Sequence, residues 1–175
     1  MEYPNNYICR EASLEEVEQR WNEEQKKDPN NPLYQQAKEE FIEEIKNKTR
    51  KTYIGLLNNN IICDATIIIK PEGIKKEANN IEDLVTEKRS FLCGIRTNKE
   101  EENKGYFSKL LKHIEQDLLK EGVQELSLAV EDREQRTKDI YEHLGFNHYI
   151  RTEIKEGNGT IYTFHYYYKQ IKTPQ

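Results

Sequence analysis

The chain has 175 residues, which is enough for one domain with a real apolar core. Hydrophobic residues make up 35% of the chain and charged residues 34%, and the apolar residues fall in periodic runs, so the composition excludes a disordered chain. The formal net charge of -5 argues against a nucleic-acid-binding protein, because such proteins usually carry a basic stripe.

The three cysteines, Cys9, Cys63 and Cys93, are widely spaced and form no CxxC pair. This spacing argues against a disulfide framework and against a structural metal site, so we expect no metal ion. Reduced thiols and the absence of a signal-like N-terminal segment favour a cytoplasmic location. No apolar run approaches the roughly 20 residues that a membrane-spanning helix needs, so we expect no membrane partner.

The first fifty residues predict one strand and two helices. Residues 7–10 read as a short strand. Ser13 and Glu16 have the spacing of a capping box, and the apolar residues that follow predict a helix over residues 14–25. Pro32 suits the first position of a second helix, whose apolar stripe runs to Ile45.

The middle of the chain predicts a hairpin and then a strand–helix–strand unit. Residues 51–57 and 61–70 form the hairpin around three asparagines, and residues 71–87 read as a polar loop. A strand over residues 90–96 leads through a hydrophilic loop to an amphipathic helix between Gly105 and Gly122. A strand over residues 126–130 follows, and a right-handed crossover would make the two strands nearly parallel.

The last forty residues predict a short helix and a strand pair. The helix covers residues 134–144 and ends at Gly145. The two strands cover residues 146–151 and 160–171, with a turn at Gly157 and Gly159. The order of elements predicts a single mixed α/β domain over residues 1–175.

The start of the helix at Gly105 is a candidate anion site. A helix N-terminus offers backbone N–H groups and a partial positive charge, and a glycine lets a phosphate approach the backbone. Lys104 and Lys109 add charge, and Ser108 adds a hydroxyl donor. Taken alone, the same pattern also fits an ordinary helix boundary. The chain contains neither GxxxxGK[ST] nor GxGxxG, so the usual nucleotide loops are excluded.

Three segments together resemble the GNAT superfamily of N-acetyltransferases. The superfamily's pyrophosphate loop, [RQ]-x-x-G-x-[GA] before a helix, is similar to residues 103–111, NKGYFSKLL. Its second signature, a tyrosine-bearing helix ending in Gly-Phe, is similar to residues 140–146, IYEHLGF. Its opening strand and helix are similar to residues 7–21, YICREASLEEVEQRW. The paired motifs make the resemblance specific.

The sequence departs from the family pattern at two positions. Glu102 stands where Arg or Gln is usual, and Phe107 stands where a small residue is usual. Phe107 would either crowd a phosphate contact or begin the apolar stripe of the helix, and the second interpretation is favoured. Because backbone amides make the expected contacts, these side-chain changes need not abolish binding.

The resemblance implies a central mixed, mostly antiparallel sheet flanked by helices, with a V-shaped splay between two near-parallel central strands. It also implies acetyl-CoA as the cosubstrate. Backbone groups of Gly94, Ile95 and Arg96 would pair with the pantetheine arm, and one of these N–H groups would polarise the thioester carbonyl. The residues expected to hold the pyrophosphate are Asn103, Lys104, Gly105, Tyr106, Phe107 and Ser108.

For catalysis, the resemblance makes Tyr141 the general acid that protonates the leaving thiolate, although a core tyrosine on an amphipathic helix would look the same. Glu87 is the candidate general base, ahead of His143 and Cys93. Glu134 is expected to favour the helix N-terminus rather than to contact substrate. The final strand carries a run of aromatic residues that either lines an acceptor pocket or packs a buried strand. This run comprises Tyr162, Phe164, Tyr166, Tyr167 and Tyr168.

The favoured function is transfer of an acetyl group from acetyl-CoA to a primary amine of a small molecule or peptide. Two alternatives stay open: a non-catalytic acyl-CoA sensor on the same fold, and an acidic α/β interaction domain without coenzyme. The final strands are candidates for pairing in a homodimer.

Overall fold

The computed structural model describes residues 4, 6–31, 33–74, 83–157 and 159–172. Seven strands are present in this part of the chain: β1 Tyr7–Glu11, β2 Arg50–Leu57, β3 Asn60–Ile68, β4 Arg89–Thr97, β5 Glu125–Glu131, β6 His148–Gly157 and β7 Thr160–Gln170. The α-helices described are α1 Leu14–Lys27, α2 Leu33–Lys46, α3 Tyr106–Lys120 and α4 Gln135–His143. None of these helices combines the length and apolar character needed to cross a membrane.

The predicted helix boundaries near the N-terminus are confirmed closely. The Ser13 side chain accepts from the Glu16 N–H at 3.3 Å, and the Ser13 N–H donates to Glu16 Oε2 at 2.9 Å, so the capping box is complete. Helix α1 runs two residues beyond its predicted end at residue 25. Pro32, the predicted first residue of the second helix, lies outside the described residues.

The predicted asparagine hairpin joins β2 and β3. Asn58 and Asn59 adopt φ values of 52° and 64°, the left-handed conformation that asparagine tolerates better than most residues. The turn pairs Leu57 with Asn60 and brings the two strands into an antiparallel register.

The predicted polar loop over residues 71–87 contains no strand or α-helix in its described parts, but it includes a 3-10 turn and a buried apolar pair. Residues 71–74 form a turn of 3-10 helix, and residues 75–82 lie outside the described part. Leu84 and Val85 are then 0% and 1% exposed, packed in a cluster with Phe91 and Tyr166. A buried pair of this length is too short to show any periodicity, so only the folded chain reveals it.

The C-terminal strand pair is longer than the sequence predicted. Strand β6 extends to Gly157 rather than to residue 151, because its second half pairs with β7 from Ile154 opposite Thr163 to Gly157 opposite Thr160. Cross-strand pairing with a long aromatic neighbour extends the strand where the local pattern is polar. Asn158 in the connecting turn lies outside the described residues.

All seven strands join one sheet in the order β1-β2-β3-β4-β5-β7-β6. Every neighbouring pair is antiparallel except β4 and β5, which run parallel. The parallel register covers three positions, from Arg89 opposite Glu125 to Phe91 opposite Ser127. Beyond Phe91 the two strands part. The predicted mixed sheet with a V-shaped splay is therefore confirmed.

Helix α3 packs its apolar stripe on one face of the sheet. Leu110, Ile114 and Leu118 are fully buried there against residues such as Tyr53 and Leu126. A second cluster, around Leu84 and Phe91, lies apart from this core. Phe91 of this second cluster is also the last residue of β4 that pairs with β5.

A buried carboxylate ties α1 to the sheet. Asp64 of β3 is 0% exposed, and its Oδ1 accepts from Arg20 Nε at 3.0 Å and Nη2 at 2.6 Å. Its Oδ2 accepts from Arg96 Nε at 2.9 Å and Nη2 at 2.6 Å. Two bidentate guanidiniums thus share one buried anion, a strong and directional arrangement.

We expect Asp64→Asn to lower the free energy of unfolding by about 3 kcal/mol, because two guanidiniums lose their shared buried anion. Glu23→Gln is the matched control, since Glu23 pairs with the same Arg20 at 3.1 Å but is 40% exposed, and its loss should cost no more than about 1 kcal/mol. Urea unfolding at neutral pH measures both. Equal small losses in the two variants would contradict the structural role of Asp64.

Candidate active site

The closed end of the splay is held by Arg89. Its Nε and Nη2 donate to Glu125 Oε2 at 2.7 and 2.6 Å, and its Nη1 donates to the Asp83 carbonyl at 2.7 Å. Its guanidinium also lies 4.2 Å from the centre of the Tyr168 ring. One side chain therefore joins the starts of β4 and β5 to β7 and fixes where the strands begin to part.

The open end of the splay begins at a bulge in β4. Asp64 pairs with Arg96 while Thr66 pairs with Cys93, so two residues of β4, Gly94 and Ile95, stand opposite one residue of β3. Gly94 has a φ of 56°, the left-handed value typical of a glycine bulge. The bulge re-aims the strand just after it leaves β5.

Helix α3 begins beside this opening. Gly105, which has no side chain of its own to cap the helix, is its N-cap with a φ of 79°. The Lys109 N–H donates to the Gly105 carbonyl at 3.2 Å, which is the first i to i−4 hydrogen bond of the helix. The amides of Phe107 and Ser108 precede it, so helix geometry gives them no intrahelical acceptor. The N-terminus therefore presents donors to the loop side of the sheet.

Tyr7 of β1 is hydrogen-bonded to the first residue of α3. Its hydroxyl donates to the Tyr106 carbonyl at 2.9 Å, and the two rings lie 4.7 Å apart between centroids. Tyr7 is 4% exposed, and burial raises the pKa of its phenol above the ordinary value. The neutral phenol is thus a permanent donor that fixes the first turn of the helix relative to β1.

A cavity of about 760 Å³ opens between the start of α3 and α4. This volume lies within the ordinary range for small-molecule sites, about 300–1,000 Å³. Its walls are the loop before α3, the first turn of α3 and the inner face of α4. The lining includes Glu101, Glu102, Asn103, Gly105, Phe107, Ser108, Glu134, Arg136, Asp139 and Tyr141.

Four of the lining side chains are carboxylates, and each has a polar partner. Glu101 accepts from Lys104 at 3.0 Å, and Glu134 accepts from the Thr137 hydroxyl at 3.2 Å. Asp139 accepts from Gln135 at 2.7 Å, and Glu102 lies 3.8 Å from Arg136. An anion in this cavity would be attracted by the amides at the start of α3 and by Arg136, and it would be repelled by the nearby carboxylates.

A second cavity of about 260 Å³ lies across the splay from the first. Aromatic and small residues dominate its wall: Phe91, Leu92, Cys93, Gly94, Ile95, Ala129, Tyr141, Lys155, Phe164 and Tyr166. Ile95 and Tyr141 line both cavities. The two cavities therefore meet at these two side chains. Ile95 lies on β4 where that strand has left β5, and Tyr141 lies on the facing helix α4.

Tyr141 is the polar group at this meeting point. Burial, with a smaller contribution from nearby Cys93, raises the pKa of its phenol to about 12. Its ring packs edge-on against Phe146, with centroids 6.0 Å apart. A phenol with that pKa is protonated at neutral pH, so it can donate a proton to an atom lying between the cavities.

The end of α4 is fixed by Lys169 of β7. Its ammonium donates to the Leu144 carbonyl at 2.6 Å and lies 2.6 Å from Glu115 Oε1 of α3. Gly145 follows with a φ of 94°, and the added Cβ of any other residue would lie 3.5 Å from Lys169 Cε. The helix that carries Tyr141 is thus joined to both the sheet and α3.

The model of the Acetyltransferase (GNAT) family matches residues 14–146, which is most of the chain. The chain belongs to the acetyltransferase (GNAT) family. The matched range includes both motifs that suggested the resemblance, the loop before α3 and the tyrosine-bearing helix α4. No curated protein sequence matches the chain.

Solved structures share this fold at low sequence identity. A spermidine N-acetyltransferase SpeG chimera from Vibrio cholerae and hSSAT is 15% identical, with a TM-score of 0.68 over 95% of this chain and 96% of that one. A GNAT-family acetyltransferase from Streptococcus pneumoniae is 17% identical, with a TM-score of 0.66 over 95% and 99% of the two chains. At this identity the likeness supports the fold alone.

The structure brings most of the predicted coenzyme residues to the two cavities. Asn103, Gly105, Tyr106, Phe107 and Ser108 line the larger cavity. Gly94 lines the smaller one, and Ile95 lines both. Phe107 also packs against the apolar core, so it begins the stripe of α3 while facing the cavity.

Three predicted residues have side chains placed elsewhere. Arg96 turns its guanidinium to Asp64, which leaves only its backbone for a ligand in the splay. Lys104 is outside the cavity lining and pairs with Glu101. Glu87 lies exposed in the turn before β4, at the closed end of the splay, and lines neither cavity. The structure therefore does not bring Glu87 to Tyr141.

Two cations at the cavities were not identified from the sequence. Arg136 lies four residues before Ile140 on α4, so the helical period places the two side chains on the same face of the helix. Both line the larger cavity. Lys155 lines the smaller cavity from β6, a strand whose second half was not predicted. No three metal-binding side chains of the described residues are grouped so that they could hold a metal ion.

Alkaline unfolding tests the environment of Tyr141. Its pKa of about 12 exceeds the ordinary 10.0, so the unfolded chain ionises first and the free energy of unfolding falls as pH rises from 10 to 12. Tyr141→Phe removes this contribution, so we expect its stability to fall less steeply than that of the wild type, by about 1 kcal/mol near pH 11.

Tyr149→Phe is the control, because Tyr149 is 58% exposed and solvent reaches its ring in the folded protein. Urea unfolding at several alkaline pH values measures the slopes. If the Tyr141 and Tyr149 variants lose stability in parallel with the wild type, Tyr141 does not occupy the buried site described.

Proposed function

We propose that this acetyltransferase moves an acetyl group from acetyl-CoA to a primary amine of a small molecule or peptide. The observation that carries the proposal is that two cavities, one at the N-terminus of α3 and one against β7, meet at Tyr141. A transferase needs two substrates to meet at one point, and a half-buried neutral phenol at that point supplies a proton.

The larger cavity suits the diphosphate of acetyl-CoA. The amides of Phe107 and Ser108 and the partial positive charge of a 15-residue helix favour an anion at the start of α3. Gly105 removes a side chain from the closest approach, and Arg136 adds a cation across the cavity. The nearby carboxylates oppose an anion, so the backbone donors supply most of the attraction.

The splay suits the pantetheine arm and the acetyl group. Beyond Phe91 none of the described strands pairs with the β5 side of β4, so the backbone of Gly94, Ile95 and Arg96 can pair with an extended ligand as a strand would. An N–H group of this segment would also stabilise negative charge developing on the thioester oxygen.

Acetyl-CoA supplies a thioester whose carbonyl carbon accepts the amine nitrogen while its carbon–sulfur bond breaks. Tyr141 gives its phenolic proton to the departing sulfur, which leaves as a thiol. The attacking nitrogen gives up one proton to water as the amide forms, and the phenolate regains a proton from solvent. Its raised pKa keeps the phenol protonated before the step. The amine must enter neutral, because an ammonium has no lone pair for attack.

No carboxylate among the described residues lines the smaller cavity, so the incoming amine loses its proton to water rather than to a side chain there. Glu87 and its turn stand at the closed end of the splay and take no part in this step. The same feature favours the alternative of a non-catalytic acyl-CoA sensor, which would bind the coenzyme without turnover.

Gly105→Ala tests the diphosphate site. A φ of 79° strains alanine, and a methyl group would stand where the phosphate approaches, so we expect the Kd for acetyl-CoA to rise about tenfold or more. Gly122→Ala is the control: Gly122 has a φ of 87°, nothing lies within 4 Å of its added Cβ, and it follows the other end of α3.

Both variants should lose about 1 kcal/mol of stability from the same backbone strain, whereas only Gly105→Ala should weaken binding in calorimetry. Equal affinity in both variants would place the diphosphate away from the start of α3.

Tyr141→Phe tests the chemistry. We expect kcat to fall about a hundredfold, the ordinary contribution of a positioned acid, while the Kd for acetyl-CoA stays unchanged. Release of coenzyme A with a broad panel of amines measures kcat, and Tyr149→Phe should match the wild type. Tight coenzyme binding with no turnover on any amine would favour the sensor instead.

A further inference from the structure

The smaller cavity has one charged side chain among its described lining residues, and that side chain is a cation. Lys155 enters from β6, while the other lining residues are aromatic, aliphatic or small, apart from Cys93 and the two phenols. Its ammonium lies 5.5 Å from the centre of the Phe164 ring, which forms part of the same wall. A ligand that enters this space therefore meets a positive charge beside aromatic faces.

Glu153, the carboxylate beside Lys155 on β6, is already engaged by the protein. Glu153 Oε1 accepts from Arg151 Nη2 at 2.6 Å, and Glu153 Oε2 accepts from the Tyr166 hydroxyl at 2.9 Å and lies 3.8 Å from the Lys155 ammonium. Glu153 does not line the cavity. A cationic ligand could pair with Glu153 only by displacing Arg151, Tyr166 or Lys155 from it.

Of the four charged side chains on this side of β6, only one lines the cavity. Arg151 also pairs with Asp83, so two cations and two carboxylates lie on this side of β6 and their charges balance. Asp83 is 46% exposed and stands outside the lining, as do Arg151 and Glu153. The charge that faces the cavity is therefore that of Lys155.

We infer that the acetyl acceptor is an amine carrying a carboxylate, as in an amino acid, with the carboxylate held by Lys155. This inference rests on the proposed function and names the substrate class of the same site. An ammonium–carboxylate pair in a partly buried, aromatic-walled space is a strong contact. The apolar part of the acceptor would lie against Phe91, Phe164 and Ala129.

The same lysine helps the acceptor to react. A positive charge near the incoming ammonium disfavours its protonated form and lowers its pKa, so more of the amine enters neutral. That effect offsets the lack of a carboxylate base in the described lining. A polyamine gains no such anchor, because its remaining ammonium groups would meet Lys155 with like charge.

An acceptor panel with matched pairs tests the inference on the wild-type protein. Each pair consists of an amino acid and its carboxamide, which differ at the carboxylate, and spermidine represents cationic amines. We expect kcat/KM about tenfold or more higher for the acids than for their amides, although the amides have the less basic amines. Mass spectrometry of the product identifies the nitrogen that carries the acetyl group.

Variants of Lys155 then locate the effect. Lys155→Gln should lower kcat/KM for the acids about tenfold or more and lower kcat/KM for the amides by a smaller factor, because only the acids lose a carboxylate anchor, and Lys155→Arg should restore most of the loss. Lys51→Gln is the control, because Lys51 has a similar exposure, 20% against 27% for Lys155. Lys51 lies on β2, in the other half of the sheet, where it pairs with Glu121. The KM for acetyl-CoA should stay constant in all of these variants.

Preference for spermidine or for the amides over the acids would overturn the inference and leave the proposed acetyltransferase reaction standing. An acid preference that survives Lys155→Gln would overturn the role of Lys155. Absence of turnover on every acceptor would overturn the inference together with the proposed reaction, and calorimetry with acetyl-CoA would then show whether the coenzyme site remains.

Discussion

The parting of β4 from β5 is the constraint on which the rest of the site depends. Parallel strands that stay paired leave no room between them, and here pairing covers three positions before the backbones diverge. Arg89 fixes the closed end, and the Gly94 bulge turns β4 away at the open end. These two features determine where the backbone of Gly94 and Ile95 faces the opening.

The divergence gives the site two sides with different chemistry. On one side the start of α3 offers backbone donors in a cavity that also carries carboxylates. On the other side aromatic residues and Lys155 form a smaller cavity. Tyr141 reaches both because α4 lies across the opening and Lys169 holds its end. A two-substrate reaction fits such a shape better than binding of one ligand does.

The Asp64 network explains why the bulge can be rigid. Arg96 follows Gly94 by two residues, and its guanidinium is fixed by a buried carboxylate that also holds Arg20 of α1. The strand is therefore anchored directly after the point where its backbone changes direction. This use of Arg96 removes its side chain from the splay and leaves the backbone, which is the part that an extended ligand would need.

The sequence by itself determined the elements whose signals are local. The capping box of α1, the asparagine turn, the stripe of α3 and the two motifs at Gly105 and Tyr141 depend on neighbours a few residues apart, and all are where they were predicted. The family resemblance and the prediction of a coenzyme-binding loop came from the same short patterns.

Only the tertiary structure decided which side chains meet. The burial of Leu84 and Val85, the turning of Arg96 to Asp64, the distance of Glu87 from the site and the entry of Lys155 all depend on contacts between residues far apart in sequence. The physical reason is that a charged or short apolar segment has no preferred partner until the strands align. Register and packing then fix which groups face the opening, and no local pattern records that choice.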